Sequence, residues 1–141
     1  MRKQTDYLIV HCAATPPDMD IGAAEIRRWH VENNKWRDIG YQIVIRRSGA
    51  VELGRGLDDT GAHTAGMNSR SVGICLIGGV DKDMRPADNF TAAQRVTLDA
   101  VLRLLVKAYP DAVVRGHRDF TNKACPSFDA MEWAGSRGLP V

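Results

Sequence analysis

The stretch "YQIVIRRSGAVEL", Tyr41 to Leu53, decides the fold class of this chain. It reads as two short strands around the Ser48–Gly49 turn, a hairpin and therefore an antiparallel pair. The other strands stand singly. "DYLIVHCAA" (6–14) is apolar and closed by the Thr15-Pro16-Pro17 turn signal, and "DAVVRG" (111–116) follows Pro110. "SVGICLIGG" (71–79) is apolar almost throughout and takes the centre of a sheet. Between them the pattern turns helical. From Asp20 or Gly22 to about Asn34, Ile26, Trp29 and His30 share one face, with Glu25, Arg28 and Glu32 on another. A second helix starts at Thr91, where Thr-Ala-Ala-Gln has capping-box spacing. It would bury Leu98, Val101, Leu102, Leu105 and Tyr109, and expose Arg95, Asp99, Arg103 and Lys107 as a solvated stripe. Ser127 to about Gly135 reads as a short final helix. A hairpin beside single strands argues for an α/β fold with a mixed central β-sheet flanked by helices.

The 141 residues fit one domain, residues 1–141, with no repeat or linker. Nineteen basic against 17 acidic residues leave +2, and the basic ones are scattered. A nucleic-acid binder would gather them into a stripe, so no nucleic-acid partner is expected. The apolar run Tyr7 to Val10 is too short for a signal-peptide core, and nothing reaches membrane length. Neither membrane insertion nor an export route is expected. Three cysteines make no disulfide framework, and their odd number leaves a free thiol. Cys12 and Cys75 sit in apolar runs as small buried hydrophobes. Cys125 differs, with Lys123 and Pro126 as neighbours.

That cysteine belongs to "RGHRDFTNKACPSF" (115–128), a loop with almost no apolar periodicity. His11 lies near the end of one strand, and His117 follows another by two residues. If those strands are neighbours, both imidazoles reach one point and the loop returns Cys125 to it. Two imidazoles and a thiolate are a ligand set for catalytic zinc, with a fourth position left for water. Spacing alone leaves other readings open. His117 and Cys125 could be unrelated loop residues, or Cys125 a nucleophile with His117 as base and Asp119 as orienter. The last option leaves His11 without a task. His30, on the tryptophan side of its helix, reads as a packed or rim histidine.

Five blocks carry a resemblance: "VHCAAT", "EIRRWH", "DIGYQIVI", "GAHTAGMNSRSVGICLIGG", and "GHRDF" with "KACPSF". In this order they resemble the zinc-dependent N-acetylmuramoyl-L-alanine amidases, the family of phage lysozyme-amidases and animal peptidoglycan recognition proteins. Each block alone is weak, but together they span nearly the whole chain.

The resemblance implies His11, His117 and Cys125 as ligands of one Zn2+ per chain, and Tyr41 and Lys123 as the catalytic pair. It places His63 and Asn68 in a glycine-rich loop lining the substrate groove. It implies an endolysin in which zinc-activated water cuts the amide between N-acetylmuramic acid and L-alanine of bacterial peptidoglycan. Made in a host cytoplasm, such a chain acts on the wall after release, as a monomer. Members that only bind peptidoglycan characteristically lack the cysteine ligand present here, so hydrolysis is the expected role. Where some relatives use a glutamate base, Tyr41 stands instead, which leaves the proton donor to the leaving amine open. Binding to RNA polymerase, a second role in one branch of the family, is not expected with only ten residues before His11.

Overall fold

The computed structural model describes residues 1–141. Its single sheet holds β1 (Tyr7–Cys12), β2 (Ile43–Ile45), β3 (Val51–Leu53), β4 (Ser71–Leu76) and β5 (Val113–Gly116), in the order β3-β2-β4-β1-β5. The hairpin forms as read: β2 and β3 are antiparallel, with Ile43 opposite Leu53. The contacts β2–β4, β4–β1 and β1–β5 are all parallel, so the sheet is mixed. β4 is the middle strand, and all six of its residues are buried, which is why it reads as one apolar run.

Strand periodicity sorts the side chains onto two unequal faces. Leu8 and Val10 of β1 and Val72, Ile74 and Leu76 of β4 point to the larger core. There they meet Leu98, Leu102 and Leu105 of α2 (Ala92–Ala108) and Ala130 and Ala134 of α3 (Ala130–Ser136). The opposite face is more thinly covered. Val44 and Cys75 pack with Ile39 and with Ala23 and Ile26 of α1 (Ala23–Arg28). The in–out alternation of β1 puts His11 on this second face.

The Thr91 capping box forms, with Thr91 Oγ1 accepting the Gln94 N–H at 3.0 Å and Gln94 Oε1 accepting the Thr91 N–H at 3.0 Å. Gln94 is fully buried, and its Nε2 also donates to the carbonyls of Ile45 and Ile77 at 3.2 and 2.8 Å. The cap thus ties α2 to the ends of two strands.

Four details depart from the sequence reading. Arg95 does not belong to a solvated stripe: its guanidinium lies 3.9 Å from the Phe128 ring centroid and 2.6 Å from Asp88. Aromatic neighbours from a distant segment, invisible to helix spacing, draw it inward. α1 ends at Arg28 and continues as a π turn over Trp29–Asn33. α3 begins at Ala130, capped by Asp129, because Ser127 is held in the preceding loop by its bond to the Gly79 carbonyl at 2.7 Å. Tyr109 stands at the C-cap of α2, half-buried against the larger core and not fully buried.

Candidate metal and active site

Strand register brings the two histidines together. Val10 of β1 pairs with Gly116 of β5, so the residues that follow, His11 and His117, emerge side by side with ring centroids 4.5 Å apart. After His117 the chain makes a 3-10 turn over His117–Asp119, capped by the Asp119 carboxylate accepting the Gly116 N–H at 2.8 Å. The loop then closes on itself through the Arg118 N–H and the Cys125 carbonyl at 2.7 Å. That closure returns Cys125 to β1, where the Cys12 N–H donates to its Sγ at 3.2 Å. The Sγ lies 3.9 Å from His11 Nδ1.

One ligand atom from each of His11, His117 and Cys125 falls within 4.8 Å of the others. Tetrahedral zinc, with bonds of about 2.0–2.3 Å, would set such atoms roughly 3.5 Å apart. The three groups therefore fit a zinc ion with a small inward movement.

Electrostatics favour the same use. Burial, then His63 and His117, hold His11 well below the usual imidazole range. Burial and the His117 and arginine charges bring His63 down to about 3, and burial with the Lys123 charge lowers His117. All three imidazoles are neutral at pH 7, as metal ligation requires. The Cys125 thiol is pushed up by its hydrogen bond with the Cys12 thiol and by burial, so its thiolate needs a cation beside it.

Of the three, His117 lines a groove of about 490 Å³ together with His30, Trp36, Tyr41, His63, Asn68 and Lys123, while His11 lies buried behind it. Tyr41 is not on a strand; it stands two residues before β2, its ring centroid 5.0 Å from that of His11. Burial, then the nearby thiols, pushes its hydroxyl well above the usual phenol range, which leaves it a proton-bearing donor. Lys123 is exposed at the groove. Asn68 shapes the loop, its Oδ1 accepting the N–H groups of His63 and Thr64 at 2.8 and 2.9 Å. His63 lines the groove, but both its ring nitrogens face protein groups: His11 and Thr64 at 2.9 Å each, and Ser71 at 3.4 Å.

Three contributors escape a sequence reading. Gln42, 1% exposed, donates to the Asp59 carbonyl at 3.0 Å and accepts the Gly73 N–H at 2.8 Å, binding the 55–70 loop to β4. Trp36 packs on His30 at the rim, with ring centroids 4.6 Å apart. Thr64 Oγ1 stands 3.2 Å from His11 Nε2. Trp36 and Thr64 sit in no periodic segment, and the partners of Gln42, Asp59 and Gly73, lie in separate segments that no local pattern joins. His30 is the packed rim residue its helix position suggested, its Nδ1 accepting the Gly40 N–H at 2.9 Å.

Residues 1–128 match the family model described as N-acetylmuramoyl-L-alanine amidase. The endolysin of Enterobacteria phage K11 is 49% identical over 132 residues, covering 94% of this chain and 87% of that one. The chain belongs to the N-acetylmuramoyl-L-alanine amidase family. The endolysin of Escherichia phage T7 is 45% identical to the amidase, with the same coverage of both chains. Among solved structures, bumblebee PGRP-SA superposes on the amidase with a TM-score of 0.83 and 26% identity, over 100% of this chain and 86% of that one. The matched family span runs just past Cys125, so the converging ligands and the groove all lie inside it. N-acetylmuramoyl-L-alanine is the junction of sugar and stem peptide in the bacterial wall, and the amidase is a peptidoglycan hydrolase.

Proposed function

We propose that the amidase depends on zinc, held by His11, His117 and Cys125, to cut the amide between N-acetylmuramic acid and L-alanine. The observation that carries this reading is the convergence of three ligand atoms within 4.8 Å, one of them from His117 in the lining of the groove. When bound, zinc lowers the pKa of water and polarises a carbonyl, the two things a stable amide lacks.

The chain's own residues would do the rest. The groove seats the sugar–peptide junction across the ligands. Lys123, at the groove, brings a positive charge to the oxyanion that develops on the scissile carbonyl. Tyr41, buried and holding its proton, donates a hydrogen bond toward the attacking water or the same oxyanion. His63 and Asn68 border the groove where the substrate lies. One chain supplies every ligand, so the reading asks for no second copy. We place the site of action at the bacterial wall, as a cytoplasmic product released at lysis. No helix of the chain is long and apolar enough to cross a membrane.

A cysteine-nucleophile mechanism fits these surroundings poorly. It needs a thiol that ionises readily, whereas Cys12 and burial push Cys125 the other way. The carboxylate assigned to orient His117 instead accepts the Gly116 N–H through Oδ2 at 2.8 Å and makes no hydrogen bond to the His117 ring.

The test is metal content beside activity, in the wild type and in Cys125→Ser. We expect about one zinc per chain in the wild type. Cys125→Ser should lose zinc and wall hydrolysis while still sedimenting with purified peptidoglycan. A metal-free wild type cleaving at full rate would sink the proposal.

A further inference from the structure

We propose that His63 is a positioning residue for the metal site: it fixes His11 in the tautomer whose Nδ1 is free to bind zinc. The inference rests on the zinc reading and adds a role for a residue expected only to touch substrate.

The assignment follows from a chain of hydrogen bonds that begins away from the metal. Ser71 Oγ donates its single proton to the Met67 carbonyl at 2.7 Å. Toward His63 Nε2, 3.4 Å away, it is left only to accept, so Nε2 is the protonated nitrogen of His63. His63 Nδ1 is then an acceptor, and His11 Nε2 lies 2.9 Å from it. The proton between them belongs to His11. Thr64 Oγ1, 2.9 Å from His63 Nδ1 and 3.2 Å from His11 Nε2, shares the contact without altering that outcome. With Nε2 protonated, His11 presents a bare Nδ1, the atom 3.9 Å from Cys125 Sγ. A ligating histidine ordinarily gives its second N–H to a carboxylate, a carbonyl or water. Here an imidazole takes that place.

His63 is held as a positioning group must be. Its backbone N–H is bonded to Asn68 Oδ1 at 2.8 Å. Its ring lies against two glycines: a Cβ built on either Gly61 or Gly73 would stand 2.7 Å from it. Glycine inside a central strand weakens that strand, and at position 73 the close approach of this ring accounts for it.

The experiment compares zinc affinity, by competition with a chromogenic chelator, in wild type, His63→Ala and His63→Asn. The visible spectra of the cobalt-substituted forms complete the set. Loss of the ring should weaken zinc binding about ten- to hundredfold. It should also shift the cobalt bands. Asparagine, whose Oδ1 stands where Nδ1 was, should recover most of the affinity. Long-range nitrogen–proton spectra of the zinc-free wild type, which need no substitution, should show His11 protonated on Nε2. Wild-type zinc affinity in both variants, or a His11 protonated on Nδ1, would overturn the role of His63 alone. A wild type that binds no zinc would overturn the metal reading itself, and this inference with it.

Discussion

Lys123 carries the clearest consequence at the scale of single residues. Its charge faces the groove and is felt at His117, whose pKa it lowers after burial has done so. If that charge serves the developing oxyanion, Lys123→Ala should lower kcat by roughly 10²–10³, the cost of removing one preorganised donor. KM should move far less, and Lys123→Arg should restore part of the rate, as steady-state kinetics on a soluble muropeptide will show. At this scale the sequence was partly legible. His11 and His117 stood out because strand ends fix side chains while loops expose them. Cys125 stood out through its polar neighbours. The inward bonds of His63 were hidden, because the 55–70 segment has no period and its partners, Ser71 and His11, belong to two different strands.

Secondary-structure elements explain how such residues are held at fixed distances. Gly73, in the middle of β4, is a side-chain vacancy that the His63 ring occupies. Gly73→Ala should therefore cost about 1–3 kcal/mol by overpacking. It should weaken zinc binding as well, measured by urea unfolding and by chelator competition. Gly135→Ala on α3 is the contrasting case, because its Cβ would make an ordinary 3.5 Å contact with Val141. Helix propensity there predicts a neutral to stabilising change of up to about 1 kcal/mol. The Thr91 cap was legible from four consecutive residues. The second use of Gln94, as a clamp on the Ile45 and Ile77 carbonyls, was not, since it depends on the docking of α2 onto the sheet. Gln94→Leu would remove one donor from each of those carbonyls, leaving Ile45 O with the Ile77 N–H at 3.1 Å and Ile77 O with Arg47 at 3.4 Å, and should destabilise by about 0.5–1.5 kcal/mol for each bond lost.

For the whole molecule, the concentration of neutral buried histidines sets a pH dependence. His63 titrates at about 3 in the folded chain against an ordinary value of 6.5, and His11 and His117 are lowered too. Below the ordinary value the unfolded chain binds more protons than the folded one, so stability falls with falling pH. The contribution is complete above about pH 6.5 and is lost progressively toward pH 3. Urea midpoints of chelator-treated protein should already drop between pH 7 and 5, a window above the range where the lowered carboxylates titrate. A midpoint constant across that window would contradict the placement of these imidazoles. The fold itself was readable at this scale, because one hairpin among single apolar strands leaves a mixed sheet as the simplest arrangement. Strand order was less so. The adjacency of β1 and β5, which makes the site, links segments about a hundred residues apart and has no local signature.

Mass spectrometry of the products released from purified peptidoglycan, with zinc and after verified chelation, tests the central claim most directly. The account predicts free stem peptides beginning with L-alanine, and intact glycan strands, only when zinc is present. Release of the same peptides from metal-free protein, or cleavage within the glycan in place of the amide, would contradict it.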